Sequence, residues 1–287
     1  MVGDGTRQGG SWRFLILVVG VSSSIAPSLT AQGGTLGEVR EAVREGSGDP
    51  SCSDPNEATN QLEAELDGLF DETFGKAIEA ILYLPFLLPR DLAHDPGGDA
   101  GFARYPYRDG DRYWIPAHSE TPADQRWSML GRVEFGTDFD DLERFGLAFL
   151  VEHESRFGLD GSWSRWREDL GAAGTDELDL ADLNLVYRFA HGERAAFRGG
   201  MGVNFLNDDV DHDLGVNFTY GVDFLPVRPL VASLEMDLGT LGDATLQHYR
   251  AAVGVVIERF ELTAGADFVD VDGEDLRSYS IGLRSWF

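Results

Sequence analysis

The run LGVNFTYGVDF, residues 214–224, alternates large apolar side chains with small or polar ones. Because successive side chains of a β-strand point to opposite faces, this run predicts a strand with one apolar and one polar face. The same period-two pattern recurs from Trp127 to the last residue, around residues 127–139, 145–152, 157–167, 182–189, 197–205, 230–238, 249–257, 262–268 and 279–287. Ten such strands with short connections fill about 160 residues, which matches the span to Phe287 and predicts an all-β, antiparallel, up-and-down barrel of about ten strands, with eight or twelve as the alternatives.

The direction of the apolar face separates a soluble barrel from a membrane barrel. A membrane barrel turns its apolar face to lipid and keeps a polar lumen, whereas a soluble barrel does the reverse. Aromatic residues near strand ends, such as Trp127, Phe205 and Tyr279, are typical of interface girdles. The polar face combines glycines with both signs of charge, which we expect to pair inside the lumen. The candidate lumen network is Arg132, Glu134, Asp182, Arg188, Arg198, Asp223, Glu235, Asp237, His248, Arg250, Asp267 and Arg284.

The end of the chain carries a resemblance. A final Phe287 with apolar residues at alternate positions before it (Tyr279, Ile281 and Leu283) resembles the terminal strand that the barrel-assembly machinery of bacterial outer membranes reads. Ser285 departs from that pattern. The chain is similar, over about residues 126–287, to the class of small outer-membrane barrels of the OmpA/OmpX and opacity type. The resemblance implies a transmembrane barrel in contact with outer-membrane lipid, and it implies no catalytic residues.

The residues before the barrel divide into four predicted segments. Residues 1–31 resemble a secretory signal peptide, with arginines, an apolar core from Phe14 to Val21 and small residues before a cleavage site after Ala31. Residues 32–55 are predicted as a disordered acidic linker. Apolar residues at three- and four-residue steps predict an amphipathic helical segment over 56–92. Residues 93–125 are predicted as an aromatic and Gly-rich linker, and 126–287 as the barrel.

An even number of strands places both ends of the barrel on one side, expected to be the periplasm. The turns around 191–194, 227–229 and 258–259 then fall on the periplasmic side. The turns around 168–177, 207–213, 239–243 and 270–275 face outward and are acidic. The formal net charge of −27 repels phosphate backbones and excludes nucleic acid as a partner. The single Cys52 excludes disulfides within the chain and a cysteine-based metal site.

Catalytic and ligand-binding motifs are few. His153, Ser155 and the later Glu168 resemble the His–Ser–Glu set of outer-membrane lipid deacylases, but the predicted topology places Glu168 at the opposite rim from His153. The acidic loop 208–213 lacks the ligand spacing of a dedicated calcium site. We therefore expect no catalytic residues, no metal site, no cofactor and no enzymatic activity.

The function expected from the sequence is that of an integral outer-membrane protein with a structural or binding role, for which an extracellular or a periplasmic protein is the expected kind of partner. Three alternatives remain open. The barrel could form a narrow cation-preferring pore. It could be a lipid-acting esterase that uses His153 and Ser155. It could also be a soluble secreted barrel that binds an apolar ligand.

Overall fold

The computed structural model describes residues 34–45, 93, 95, 97–208, 212–242 and 244–287. It contains one α-helix, α1 (Thr35–Glu45), and a small antiparallel pair, β1 (Ala100–Phe102) and β2 (Trp114–Pro116). Ten long strands follow: β3 (Trp127–Thr137), β4 (Leu142–His153), β5 (Phe157–Asp169), β6 (Thr175–His191), β7 (Ala195–Asn207), β8 (His212–Phe224), β9 (Leu230–Leu241), β10 (Ala244–Ile257), β11 (Phe260–Val271) and β12 (Glu274–Trp286). Within the described residues, no helix is long and apolar enough to cross a bilayer.

The ten long strands form one closed antiparallel barrel, as the sequence predicted. Each strand pairs with the next along the chain, and β12 pairs with β3 to close the wall, from Tyr279 opposite Thr137 to Trp286 opposite Leu130. Short hairpins fix the register. Asp272 and Gly273, with φ of 53° and 100°, connect β11 to β12 in the left-handed conformation that an Asp-Gly turn favours.

The apolar face of the barrel points outward. Among the described residues, 28 large apolar side chains are exposed, and nearly all of them lie on the long strands. Aromatic pairs lie near both ends of the wall, such as Phe157 with Tyr187 at one end and Phe139 with Tyr279 at the other. A soluble monomer rarely exposes so large an apolar surface, so this is the architecture of a transmembrane β-barrel. The predicted transmembrane fold class is confirmed.

The barrel has two distinct ends. We call the end where β3 begins and β12 stops the near end, and the opposite one the far end. The near end is closed by residues 97–126, which we call the near-end plug. Its buried Phe102, Tyr113 and Trp114 pack against inward-facing residues of the wall, among them Leu130 and Trp286. The predicted linker over 93–125 therefore contains a short sheet and an aromatic core.

The far end is covered by α1, which we call the far-end lid. Leu36, Val39 and Val43 are at most 1% exposed and pack on apolar residues at the far ends of the strands, among them Trp166. A short helix before the barrel was predicted, but over 56–92, a segment that lies outside the described residues, as does the predicted signal peptide. The prediction of disorder for 32–55 is wrong for Thr35–Glu45, because the barrel supplies the apolar partners that this segment lacks by itself.

Candidate functional site

The middle of the lumen holds a dense layer of paired charges, and this layer is the candidate site. Most of its side chains are nearly inaccessible to solvent. Eleven of the twelve residues that the sequence singled out for the lumen lie in this layer. The layer exists because the polar face of every strand points inward and because neighbouring glycines leave room. A Cβ at Gly221, for example, would meet the Arg198 guanidinium carbon at 2.6 Å.

Two arginine–glutamate pairs reach across the lumen. Arg132 on β3 binds Glu235 on β9 through two parallel hydrogen bonds of 2.7 and 2.8 Å. Arg250 on β10 binds both carboxylate oxygens of Glu134 on β3, and it also lies 3.7 Å from Glu235. Paired hydrogen bonds of this kind fix geometry as well as charge, so these pairs tie opposite parts of the wall together.

Asp223 on β8 gathers two further arginines. Arg198 on β7 donates to one of its oxygens at 2.5 Å, and Arg284 on β12 donates to the other at 3.2 Å. Arg284 also lies 3.6 Å from Glu261, which accepts a hydrogen bond from the Trp286 indole. Since β8 and β12 are four strands apart in the barrel of ten, the Asp223–Arg284 pair spans most of the lumen.

The remaining predicted residues form a polar chain on the far side of the layer. The His248 ring lies 3.3 Å from Asp237 and 3.4 Å from Asp267. Asp237 accepts a hydrogen bond from the Asn217 amide. The same amide also donates to Asn184, and Asn184 donates in turn to Asp182. Each predicted residue of this chain thus has a partner within the lumen.

Arg188 is the one predicted lumen residue that lies elsewhere. It sits at the near end, where it stacks over Phe102, donates to the Ala100 carbonyl oxygen and lies 3.4 Å from Glu152. The plug therefore uses Arg188 as an anchor. Asp95 supplies a second anchor, because both of its oxygens accept hydrogen bonds from Arg156 at 2.8 and 2.9 Å. Although burial opposes this, the Arg156 guanidinium holds the pKa of Asp95 below its ordinary value.

Three charged members of the layer were absent from the predicted set. Arg144 on β4 lies 3.1 Å from Asp267, Asp160 on β5 lies 3.7 Å from Arg198, and Glu261 binds Arg284 and Trp286. Arg144 shares its strand face with Gly146 and Ala148, which alternate with the outward-facing Phe145 and Leu147, so the parity of the strand identifies it. Glu261 likewise alternates with the outward-facing Leu262.

The charged layer leaves almost no free space. Two cavities of about 30 Å³ each lie among these side chains, one bordered by Arg132, Asp160, Glu235 and His248 and the other by Arg144, Ser162, Asp182 and His248. That volume corresponds to one or two water molecules. The near-end plug, the charged layer and the far-end lid therefore fill the lumen at three levels along the barrel axis. This arrangement of paired side chains can hold the wall rigid.

The residues predicted for recognition by the assembly machinery lie together on the closing strand. Tyr279, Ile281, Leu283 and Phe287 are between 49% and 68% exposed and point outward. Phe287 exchanges two backbone hydrogen bonds of 2.8 Å with Met129 on β3. The last residue of the chain thus completes the seam of the barrel.

Two of the three candidate esterase residues lie together, but the third does not. The His153 Nδ1 and Ser155 Oγ atoms lie 2.8 Å apart in an exposed near-end turn. Glu168 lies at the far rim, where it accepts hydrogen bonds from the backbone of α1. The carboxylate next to the pair, Glu154, is bound to Arg126 instead. A nucleophile, a base and an orienting acid therefore do not meet at this site.

The acidic far-end turn has a role other than metal binding in the described part of the chain. Asp208 lies 2.8 Å from Arg40 of α1, while residues 209–211 lie outside the described residues. Across the described ranges, no group of three or more His, Cys, Asp or Glu side chains is arranged to hold a metal ion.

Comparison with known proteins gives matches in solved structures alone. No family model and no curated protein matches the chain. Ail, the attachment invasion locus protein of Yersinia pestis, is 12% identical with a TM-score of 0.26, and the match covers 56% of this chain and 96% of Ail. In phospholipid nanodiscs, Ail gives a TM-score of 0.31 at 12% identity, with coverages of 56% and 99%. The KdgM porin is 10% identical with a TM-score of 0.24, covering 56% of this chain and 99% of KdgM.

These similarities are weak in both sequence and superposition. The closed strand register and the outward apolar face define the fold without them. At the level of fold class, the chain is a small outer-membrane-type β-barrel, as the resemblance to that class implied.

Proposed function

We propose that this chain is an integral outer-membrane protein whose closed barrel has a structural or binding role. The observation that carries the proposal is the combination of an outward apolar surface with a lumen blocked at three levels. The near end then faces the periplasm and the far end faces the outside. A signal peptide over 1–31 would bring the chain across the inner membrane, and the strand ending at Phe287 would be read by the barrel-assembly machinery.

The alternative functions are less well supported. A cation-preferring pore needs a continuous path, but arginine–carboxylate pairs cross the lumen. A soluble barrel for an apolar ligand needs an apolar interior, but the central layer is charged. An esterase needs a carboxylate beside His153 and Ser155, and Glu168 is engaged at the other rim. If a Ser155→Ala variant abolished an esterase activity of the protein, that result would nevertheless support the esterase alternative.

The test is fractionation followed by gel migration of the protein before and after boiling. We expect the protein in the outer-membrane fraction and expect the unboiled form to migrate faster, because a closed barrel resists detergent unfolding. A protein found in the soluble fraction, with identical migration in both states, would contradict the proposal. As a control for a loosened barrel, Arg250→Ala should lower the temperature at which the fast-migrating form is lost, because it removes the two hydrogen bonds that the buried Glu134 accepts from Arg250.

A further inference from the structure

The far-end lid is held in the barrel mouth much as a ligand is held in a receptor. Three side chains of α1, at spacings of three and four residues, form one apolar face: Leu36, Val39 and Val43. They pack on an apolar floor built by residues that are far apart in the sequence: Leu142, Trp166, Leu178, Leu206, Leu241, Ala244, Leu246, Val269, Val271 and Leu276. The barrel therefore presents a preformed apolar cup that accepts one face of a helix.

Carboxylates of the barrel supply the polar contacts at the edge of this cup. Glu168 accepts hydrogen bonds from the backbone N–H groups of Thr35 and Leu36 at 2.8 and 3.0 Å, and so caps the start of the helix. Asp176 receives two hydrogen bonds of 2.5 Å from Arg40, and Asp208 lies 2.8 Å from the same guanidinium. The hydrogen bond to Asp176 raises the pKa of Arg40. The mouth thus recognises a helix N-terminus and a cation one turn later.

The apolar face of α1 matches the cup, but its acidic side chains face an acidic mouth. The Glu38 carboxyl lies within hydrogen-bonding reach of Glu274, so two acidic groups face each other. Exposed acidic side chains surround the mouth, namely Asp140, Asp141, Glu143, Asp169 and Asp272, while Glu177 on the same rim lies within 4 Å of Arg165 and Arg167. Glu41 of α1 is exposed on the same rim. Like charges that lie close together lower the affinity of a helix for the mouth. We therefore expect α1 to be bound less tightly than a cationic helix of the same apolar pattern would be.

The length of α1 also limits how firmly it is held. It has 11 residues, and an isolated helix shorter than about 12–15 residues is marginal in water. Its helical state therefore depends on docking, and undocking allows it to unfold. A segment that folds only when bound can be exchanged for a competitor.

We propose that the far-end mouth is a binding site for a cationic amphipathic helix of a partner, and that α1 is its weaker resident ligand. In the incoming helix, position i is the one that Leu36 occupies in α1. That helix needs apolar residues at positions i, i+3 and i+7, an arginine at i+4, and basic rather than acidic residues at i+2 and i+5. This inference deepens the binding role proposed above and rests on the far end facing outward. Because α1 is tethered, it competes at a high effective concentration.

The test uses a fluorescent synthetic peptide and the full secreted chain in zwitterionic nanodiscs. The peptide carries residues 34–46 with lysine in place of Glu38 and Glu41. In the protein, Val39→Asp should undock α1 and expose the cup, and we expect it to bind the peptide at least about tenfold more tightly than the unaltered protein. Glu38→Gln in the protein should strengthen α1 and weaken peptide binding by about twofold or more.

Two controls separate specific docking from adsorption. A peptide of the same charge with serine in place of Leu36, Val39 and Val43 should not bind, and binding to empty nanodiscs is subtracted. Equal affinity of the Val39→Asp and unaltered proteins, or equal binding of the serine peptide, would overturn the inference. If Val39→Asp fails to give the fast-migrating folded form, Leu36→Ala provides the release by removing an apolar contact of α1 while leaving the residues of the cup unchanged. Loss of fast migration in the unaltered protein would instead overturn the proposed function.

Discussion

The two ends of this barrel are both closed, but by different means. The near-end plug joins the wall through backbone hydrogen bonds. The Ala100 N–H donates to the backbone carbonyl oxygen of Glu154, and the Tyr113 N–H donates to that of Glu193. It adds an aromatic core in which the Tyr113 ring packs edge-on against Trp286 at 4.7 Å between ring centroids. The far-end lid is a single helix that contacts the wall through three apolar side chains and a few carboxylates.

The difference shows how a closed barrel can combine a fixed end with an exchangeable one. Backbone hydrogen bonds and buried aromatic rings couple the plug to the strands, so we expect the plug to unfold together with the wall. The lid lacks an apolar core of its own. We therefore expect it to open locally at a lower free energy than that of global unfolding.

The largest expected effect comes from removing an aromatic anchor of the plug. Trp114 is 2% exposed, and Trp114→Ala should lower the free energy of global unfolding by about 3–5 kcal/mol. Urea unfolding in micelles measures this. The control Trp127→Phe, at an outward tryptophan that is 60% exposed, should cost less than about 1 kcal/mol. If Trp114→Ala exposed residues 97–126 to solvent but left the urea midpoint of barrel unfolding unchanged, the plug would not be coupled to the wall.

The second prediction concerns Leu36→Ala in the far-end lid, which tests whether the lid opens independently of the wall. Leu36 is 0% exposed, so the change should weaken lid docking by about 2–3 kcal/mol. Because the lid opens before the barrel unfolds, the urea midpoint should stay unchanged. Hydrogen exchange should become faster in Thr35–Glu45 and remain unchanged in β1 and β2. A shift of the global midpoint as large as that of Trp114→Ala would erase the distinction between lid and plug.

The sequence predicts the barrel wall well and the two closures poorly. Period-two alternation identified ten strands and sent Arg132, Glu235 and Arg250 into the lumen, because parity alone decides which face a residue occupies. Parity does not predict partners across the lumen, since the pairing of Arg284 with Asp223 depends on how the closed wall is staggered. The lid was missed although Leu36, Val39 and Val43 recur at helical spacing, because the stretch is short and acidic and its apolar partners come from distant strands that no local pattern identifies.

A third prediction concerns the pH dependence of the near end. The pKa of Asp95 is lowered in the folded protein, so its pairing with Arg156 stabilises the plug above the unfolded-state pKa of about 3.9 and is lost as pH falls below it. Asp95→Asn should reduce stability at pH 7 by about 1–2 kcal/mol. It should also make stability less dependent on pH between about 4 and 2 than in the unaltered protein. Parallel pH profiles of the two proteins would contradict this role.

The smallest expected effect concerns the like-charge contact of the lid. Glu38→Gln removes the repulsion from Glu274 and should slow hydrogen exchange in α1 by about twofold, a gain of roughly 0.3–0.5 kcal/mol. Glu41→Gln serves as the matched control, because Glu41 is exposed. Equal changes from both substitutions would point to net charge rather than to the contact with Glu274.

The most direct test of the closed barrel is conductance in a planar bilayer. We compare the unaltered protein with Val39→Asp, which opens the lid, since the charged layer and the plug should still block the lumen. We expect no stepwise current from either protein. Stable cation-selective steps from the unaltered protein would contradict a closed lumen and would mean that the ion pairs around Glu235 line a conducting path.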